Sequence, residues 1–66
     1  MFKPGDLIVS KCLIAAATYI HKNDVCLVLS VSESKSFVRV VHKNISSIVY
    51  YKHFTLLAEF ANAQDV

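Results

Sequence analysis

The sequence predicts an all-β fold, a small five-stranded antiparallel barrel, partly open, with a long loop between its first two strands. One observation is a hairpin pattern in mid-chain. Val25 to Val31 and Phe37 to His42 are strand-length and rich in β-branched residues, and the polar segment Ser32-Glu33-Ser34-Lys35-Ser36 separates them. A second is size set against composition. The chain has 66 residues, of which 55% are hydrophobic and 18% charged. So short a chain buries a modest fraction of its surface, and a flat sheet could not cover its own apolar residues. Rolling the sheet up removes free edges and encloses a core. The apolar excess also predicts hydrophobic surface left over for a partner.

In chain order, Lys3-Pro4-Gly5-Asp6 reads as a turn, with Pro4 fixing its own φ and Gly5 open to a φ that other residues resist. Asp6 is placed to accept local backbone hydrogen bonds there. Leu7-Ile8-Val9 follows as the first strand. Leu13 to Ile20 is too apolar for an idle surface loop, and its alanines also suit a helix. A loop with a helical turn and an outright helix are both open for it, the loop preferred, and either way it is expected to cap the barrel or to form a contact surface. In the second strand Val25, Leu27, Leu29 and Val31 alternate with Cys26, Val28 and Ser30. In the third, Val38 and Val40 alternate with Phe37, Arg39 and Val41, so that Arg39 marks a solvent side. Lys43-Asn44 is a tight turn before Ile45 to Tyr51, and Phe54 to Ala58 is the last strand. The core expected from these alternations is Leu7, Val9, Leu27, Leu29, Val38, Val40, Ile48 and Leu56. Glu59 to Val66 loses its period, so the barrel is expected over residues 1–60, with Phe60 packed or engaged by a neighbour and residues 61–66 a frayed tail.

Phe2-Lys3-Pro4-Gly5-Asp6-Leu7-Ile8, Cys26-Leu27-Val28-Leu29-Ser30-Val31 and Phe37-Val38-Arg39-Val40-Val41 together resemble the small SH3-like barrel proteins of tailed bacteriophages. In those, a Pro-Gly-Asp-aliphatic opening leads to a valine-leucine strand and then to valines around an aromatic or basic residue. The likeness runs from Phe2 to Leu57. The first loop here is longer and more apolar than usual, and His42-Lys43 stands where an aliphatic-tryptophan pair is common. The resemblance implies an SH3-like barrel and a virion component or small phage protein that binds another protein, with no catalytic role. Its setting would be the host cytoplasm or the assembled virion, and its partners a second copy or another phage protein.

Chemistry is sparse. His21, His42 and His53, with Cys12 and Cys26, lack the short ligand spacings of structural zinc sites, so no metal or other cofactor is expected. The acidic residues sit in turns, loops or the tail with no pairing to suggest general acid-base work, and no enzyme is expected. Both cysteines are expected free, since nothing near Met1-Phe2-Lys3 resembles a signal peptide, and no apolar run reaches the length of a membrane span. A net charge of +2 with singly spread lysines makes a thin basic footprint. Nucleic-acid binding through Arg39, Lys43, Tyr50, Tyr51, Lys52 and His53 is therefore the second reading. The first is protein binding, through Leu13, Ile14, Tyr19, Ile20, Phe37, Arg39, Tyr51 and Phe60, because aromatic and arginine anchors on a rigid scaffold are what interface centres use.

Overall fold

In the computed structural model, residues 2–15 and 17–64 are described, with side chains as far as Asn62. The strands are β1 (Leu7–Ser10), β2 (Val25–Val31), β3 (Phe37–His42), β4 (Ile45–Tyr50) and β5 (Phe54–Leu56), and a helix α1 (Leu57–Gln64) follows them. A short 3-10 turn, Tyr51–His53, links β4 to β5. The five strands form one sheet in the order β4-β3-β2-β1-β5 with every pairing antiparallel.

The sheet does not close into a barrel, which corrects the expectation of an SH3-like barrel. β4 and β5 are its two edges and do not pair. A physical reason lies in the segment between β1 and β2. Closure is one way of taking an apolar face out of water, and here the loop does it. Ile14, Ala17 and Ile20 from that loop are buried in one cluster with Ile8, Cys26, Val28, Val38, Val40, Val49 and Phe54 from the sheet. Two successive turns space them, with the Ala17 N–H bonded to the Ile14 carbonyl and the Ile20 N–H to the Ala17 carbonyl. The loop thus plugs the sheet, with no α-helix among its described residues.

Two matching turns bring the chain into β1 and β2. Lys3-Pro4-Gly5-Asp6 has Gly5 at φ 92°, with the Lys3 N–H bonded to Asp6 Oδ2 at 2.9 Å. His21-Lys22-Asn23-Asp24 has Asn23 at φ 74°, with the His21 N–H bonded to Asp24 Oδ2 at 2.8 Å. In each, the third position is left-handed, which glycine and asparagine tolerate best, and the aspartate closes the turn on the first residue's amide. The first turn then docks on β2: Gly5 donates to the Val28 carbonyl and Val28 to that of Asp6.

The expected core is right on β3 and reversed on three other strands. Val38 and Val40 are buried, but Leu7, Leu27, Leu29 and Ile48 are all exposed, Ile48 to 54%. Both sides of β1, β2 and β4 are apolar enough to be inside, so alternation could not choose between them. A bulge at Leu29 compounds the error. Val28 pairs with Val40 but Ser30 with Arg39, leaving Leu29 as the extra residue. Val31, opposite Val38, therefore returns to the packed side, while Leu27 and Leu29 stay outside. Val9, on the side away from the main cluster, is buried as well, and Leu56 is partly buried against that cluster.

The last strand is a second correction. β5 stops at Leu56, short of the expected Ala58, and residues 57–64 are helical; Asp65 and Val66 lie outside the described residues. Leu57-Ala58-Glu59-Phe60-Ala61-Asn62-Ala63-Gln64 is rich in strong helix formers, and Glu59 places a negative charge in the first turn, where the helix dipole favours it.

Candidate protein interface

With one side of the sheet covered by the loop, the other side carries most of the exposed apolar strand residues; Ile45, beside the β3–β4 turn, is exposed on the covered side. The pairing fixes which side chains share it. Tyr50 lies opposite Phe37, Ile48 opposite Arg39, Ser46 opposite Val41, Val41 opposite Leu27, and Leu27 opposite Leu7. Leu7, Leu27, Leu29, Phe37, Ile48 and Tyr50 are each between 36% and 54% exposed. Together they make a contiguous apolar row rather than single scattered surface residues. Arg39 stands in the middle. It makes no ion pair among the described residues, and a shallow depression beside it is lined by Ser30, Ser32, Phe37 and Ile48. A groove at the other margin, between Leu7 and α1, is lined by Leu56, Leu57, Ala58 and Ala61.

At the end of β4 the rings gather. Phe37 and Tyr50 lie 5.7 Å apart, Tyr50 and Tyr51 5.3 Å apart edge-on, and Tyr50 and His53 5.6 Å apart. Such contacts fix the rings against one another and hold a rigid aromatic rim.

Of the residues expected to bind protein, Phe37 and Arg39 are exposed on this face, and Tyr51 is half-buried at its aromatic end. Leu13 is exposed to 62% on the loop, and Phe60 is half-buried on α1. Ile14 and Ile20 are buried in the core and cannot meet a partner. Tyr19 is half-buried: its hydroxyl donates to the Ile45 carbonyl at 3.0 Å and shares a 2.7 Å hydrogen bond with Ser47 Oγ, which pins the loop to β4. Leu7, Leu27, Leu29 and Ile48, which belong to the face, had been assigned to the core. Their half-exposure depends on which side the loop covers, and no local signal in the sequence says which.

Of the nucleic-acid set, Tyr50, Tyr51 and His53 come together, with Lys52 between them in the chain. Lys43 lies in the turn at the far end of β4, roughly 20 Å away at the rise of a strand, so the basic residues do not form one patch.

Two polar constellations escaped the sequence reading. In one, Cys12 Sγ is 3.6 Å from His53 Nδ1, two residues 41 apart in the chain joined where the end of β1 meets the 3-10 turn. There the Lys11 N–H bonds the His53 carbonyl. In the other, Asp24 Oδ2 lies 3.1 Å from His42 Nε2 and 3.7 Å from His21 Nδ1. Although close, Nε2 is poorly aligned for a hydrogen bond to that carboxylate, while Nδ1 is 3.0 Å from the Val25 carbonyl. The Asp24 carboxyl is held below its ordinary value, chiefly by the His21 backbone N–H and then by the charges of His42, His21 and Lys43, against some desolvation. Burial pushes the Cys26 thiol up to about 11. Both cysteines are free thiols. Among the described residues, no three His, Cys, Asp or Glu side chains converge on a point that would hold a metal.

Among the described residues, no helix is long and apolar enough to cross a membrane. No family model, no curated protein and no solved structure matches this chain. The likeness to phage barrel proteins gains no support from them, and the closed barrel it implied is not formed.

Proposed function

We propose that the chain is a non-catalytic interaction module that binds another polypeptide with the uncovered face of its sheet. The observation that supports this is the contrast between the two sides. A plug formed by the chain's own loop shields one, whereas the other leaves Leu7, Leu27, Leu29, Phe37, Ile48 and Tyr50 partly open to water. Phe37 and Tyr50 supply rigid aromatic area at low entropic cost. The Arg39 stem can lie along its apolar neighbours while the guanidinium reaches a partner's carboxylate or carbonyl.

A second reading, stacking of single-stranded nucleic acid, is favoured only by the ring cluster around Tyr50 with Lys52 and His53 beside it. Its rings are packed on one another, which leaves fewer faces for bases.

The test is affinity capture from cells that carry the protein, followed by reconstitution with each purified partner. Phe37→Asp and Ile48→Asp should abolish partner binding, and Lys22→Asp on the opposite loop should not. A partner that binds all three variants equally would overturn the reading. A gel shift with short single strands at low salt that disappears in Tyr50→Ala would favour nucleic acid instead.

A further inference from the structure

The two edges of the sheet are unlike. β5 has three residues and runs directly into α1, whereas β4 is six residues long. Natural sheets usually blunt a free edge with a charged side chain, a proline, a bulge or a covering element. Ile45-Ser46-Ser47-Ile48-Val49-Tyr50 contains no charge and no proline, and its ladder with β3 is regular throughout.

The hydrogen-bond phase of that ladder is fixed at both ends. At one end Lys43 and Asn44 have φ 54° and 65°, the two left-handed positions of a type I′ hairpin, in which the flanking pair, His42 and Ile45, is hydrogen-bonded. At the other end the Tyr51 N–H bonds the Ser36 carbonyl, which puts the adjacent Phe37 and Tyr50 in a non-hydrogen-bonded pair. Both ends require the same alternation. Ile45, Ser47 and Val49 spend their amides on β3, and the N–H groups of Ser46, Ile48 and Tyr50 point out of the open edge.

We infer that this edge pairs with the β4 strand of a second copy, antiparallel about a two-fold axis at Ile48, joining two sheets into one. The inference goes beyond the reading of the uncovered face: it concerns the open edge of the sheet, with a second copy of the chain as the partner there. The strand is self-complementary in that register. On the uncovered face Ile48 meets the second Ile48, and each Tyr50 lies opposite a Ser46, a large ring over a small residue. On the covered side each Ser47 lies opposite a Val49. Small-against-large pairs of this kind fit without overlap. Within the paired strands charge does not oppose it, since β4 carries none, and at the two ends Lys43 of one copy comes toward Lys52 of the other, an exposed pair whose repulsion salt screens. The Arg39 residues, each one strand inside the edge, would lie about 14 Å apart at ordinary strand spacing, beyond the screening length of physiological salt. Tyr19 does not occupy the edge amides, since its hydroxyl is held by the Ile45 carbonyl and Ser47 Oγ. Pairing would also merge the two uncovered faces into one surface of twice the width.

Sedimentation equilibrium over a concentration series, with the intact chain, tests this. A monomer–dimer equilibrium is expected. Ser46→Pro removes an outward N–H that the chain does not itself use, and leaves every apolar residue of the face in place. It should weaken dimerisation by roughly tenfold or more, since two amide donors are lost per dimer. Ser46→Lys, which keeps the amide but sets a lysine against each Tyr50, should weaken it too and stands in if the proline variant fails to fold. In a Cys12→Ser background, Ile48→Cys should give an interchain disulfide under mild oxidation, because a hydrogen-bonded antiparallel pair has its Cα atoms about 5.5 Å apart. A wild type that stays monomeric at every concentration would overturn the edge pairing. So would a dimer that tolerates both Ser46 variants but is lost in Phe37→Asp, an outcome that leaves the face-binding reading standing. Loss of partner binding by no face variant, with the dimer intact, would reject that reading and keep the edge.

Discussion

The two sides of this sheet are made by the same strands and are nearly equal in hydrophobicity, yet one is dry and the other half-wet. On the covered side Ile8, Cys26, Val28, Val38, Val40 and Val49 are at most 3% exposed, under Ile14, Ala17 and Ile20 of the loop. On the other, Leu27 and Leu29 are as apolar as anything in the core and remain 37% and 43% exposed. Hydrophobicity alone therefore does not decide what is inside. What decides is which side the connecting segment between β1 and β2 crosses. A residue on the covered side contributes to folding; one of the same type on the other side is available for binding unless, like Val9, it is itself buried.

Cutting back a side chain on each side should break this symmetry of composition most clearly. Ile20→Ala should destabilise the fold by about 2–5 kcal/mol, since it empties part of the plug, whereas Leu29→Ala should cost well under about 1 kcal/mol. Urea unfolding of the two variants measures the difference, and equal losses would show that the loop is not what seals the sheet. A covalent probe sharpens the same contrast. With its thiol pushed up to about 11 by burial, Cys26 should form thiolate far less readily in the native protein than in urea, and its position in the core also keeps reagent away. Cys12, partly exposed at the end of β1, should be alkylated first. Native-state labelling of Cys26 as fast as Cys12 would mean that the covered side opens easily.

A smaller effect is expected where the loop is pinned. Tyr19→Phe deletes the bonds to the Ile45 carbonyl and Ser47 Oγ and should cost about 1 kcal/mol in thermal or urea unfolding. The smallest concerns acid. The Asp24 carboxyl titrates lower in the folded chain than its unfolded value of 3.8, so its stabilisation is present above that pH and is lost as the pH falls through the lower folded value. Asp24→Asn should accordingly flatten the acid limb of the stability curve near and below pH 4 and leave its shape at neutral pH unchanged.

How much of this was legible beforehand varies by element. The hairpin from Val25 to His42 could be read because its strands and polar connection are local in sequence, and the turns at Pro4-Gly5 and Lys43-Asn44 because their φ demands are local too. The helix from Leu57 was missed because a search for alternation passes over a run of alanines at the end of a strand. Its propensity was visible in Ala58, Ala61 and Ala63. Phe37 and Arg39 were found as candidate contacts because arginine marks a solvent side. Ile48 and Leu29 were not, since aliphatic residues with aliphatic neighbours carry no such mark. The Cys12–His53 pair, 41 residues apart, had no local signal at all.

Taken by itself, the sequence determined the antiparallel strands, their turns and the presence of more apolar surface than so small a chain can hide, because each of these depends on residues within a few positions of one another. Tertiary structure alone decided that the sheet stays open, that the loop of Ile14 and Ile20 chooses one side, that Leu29 bulges, and hence that Leu7, Leu27, Ile48 and Tyr50 face water. Those outcomes depend on where a long connection crosses the sheet, a question of packing between segments far apart in the chain, and two equally greasy sides offer alternation nothing with which to answer it.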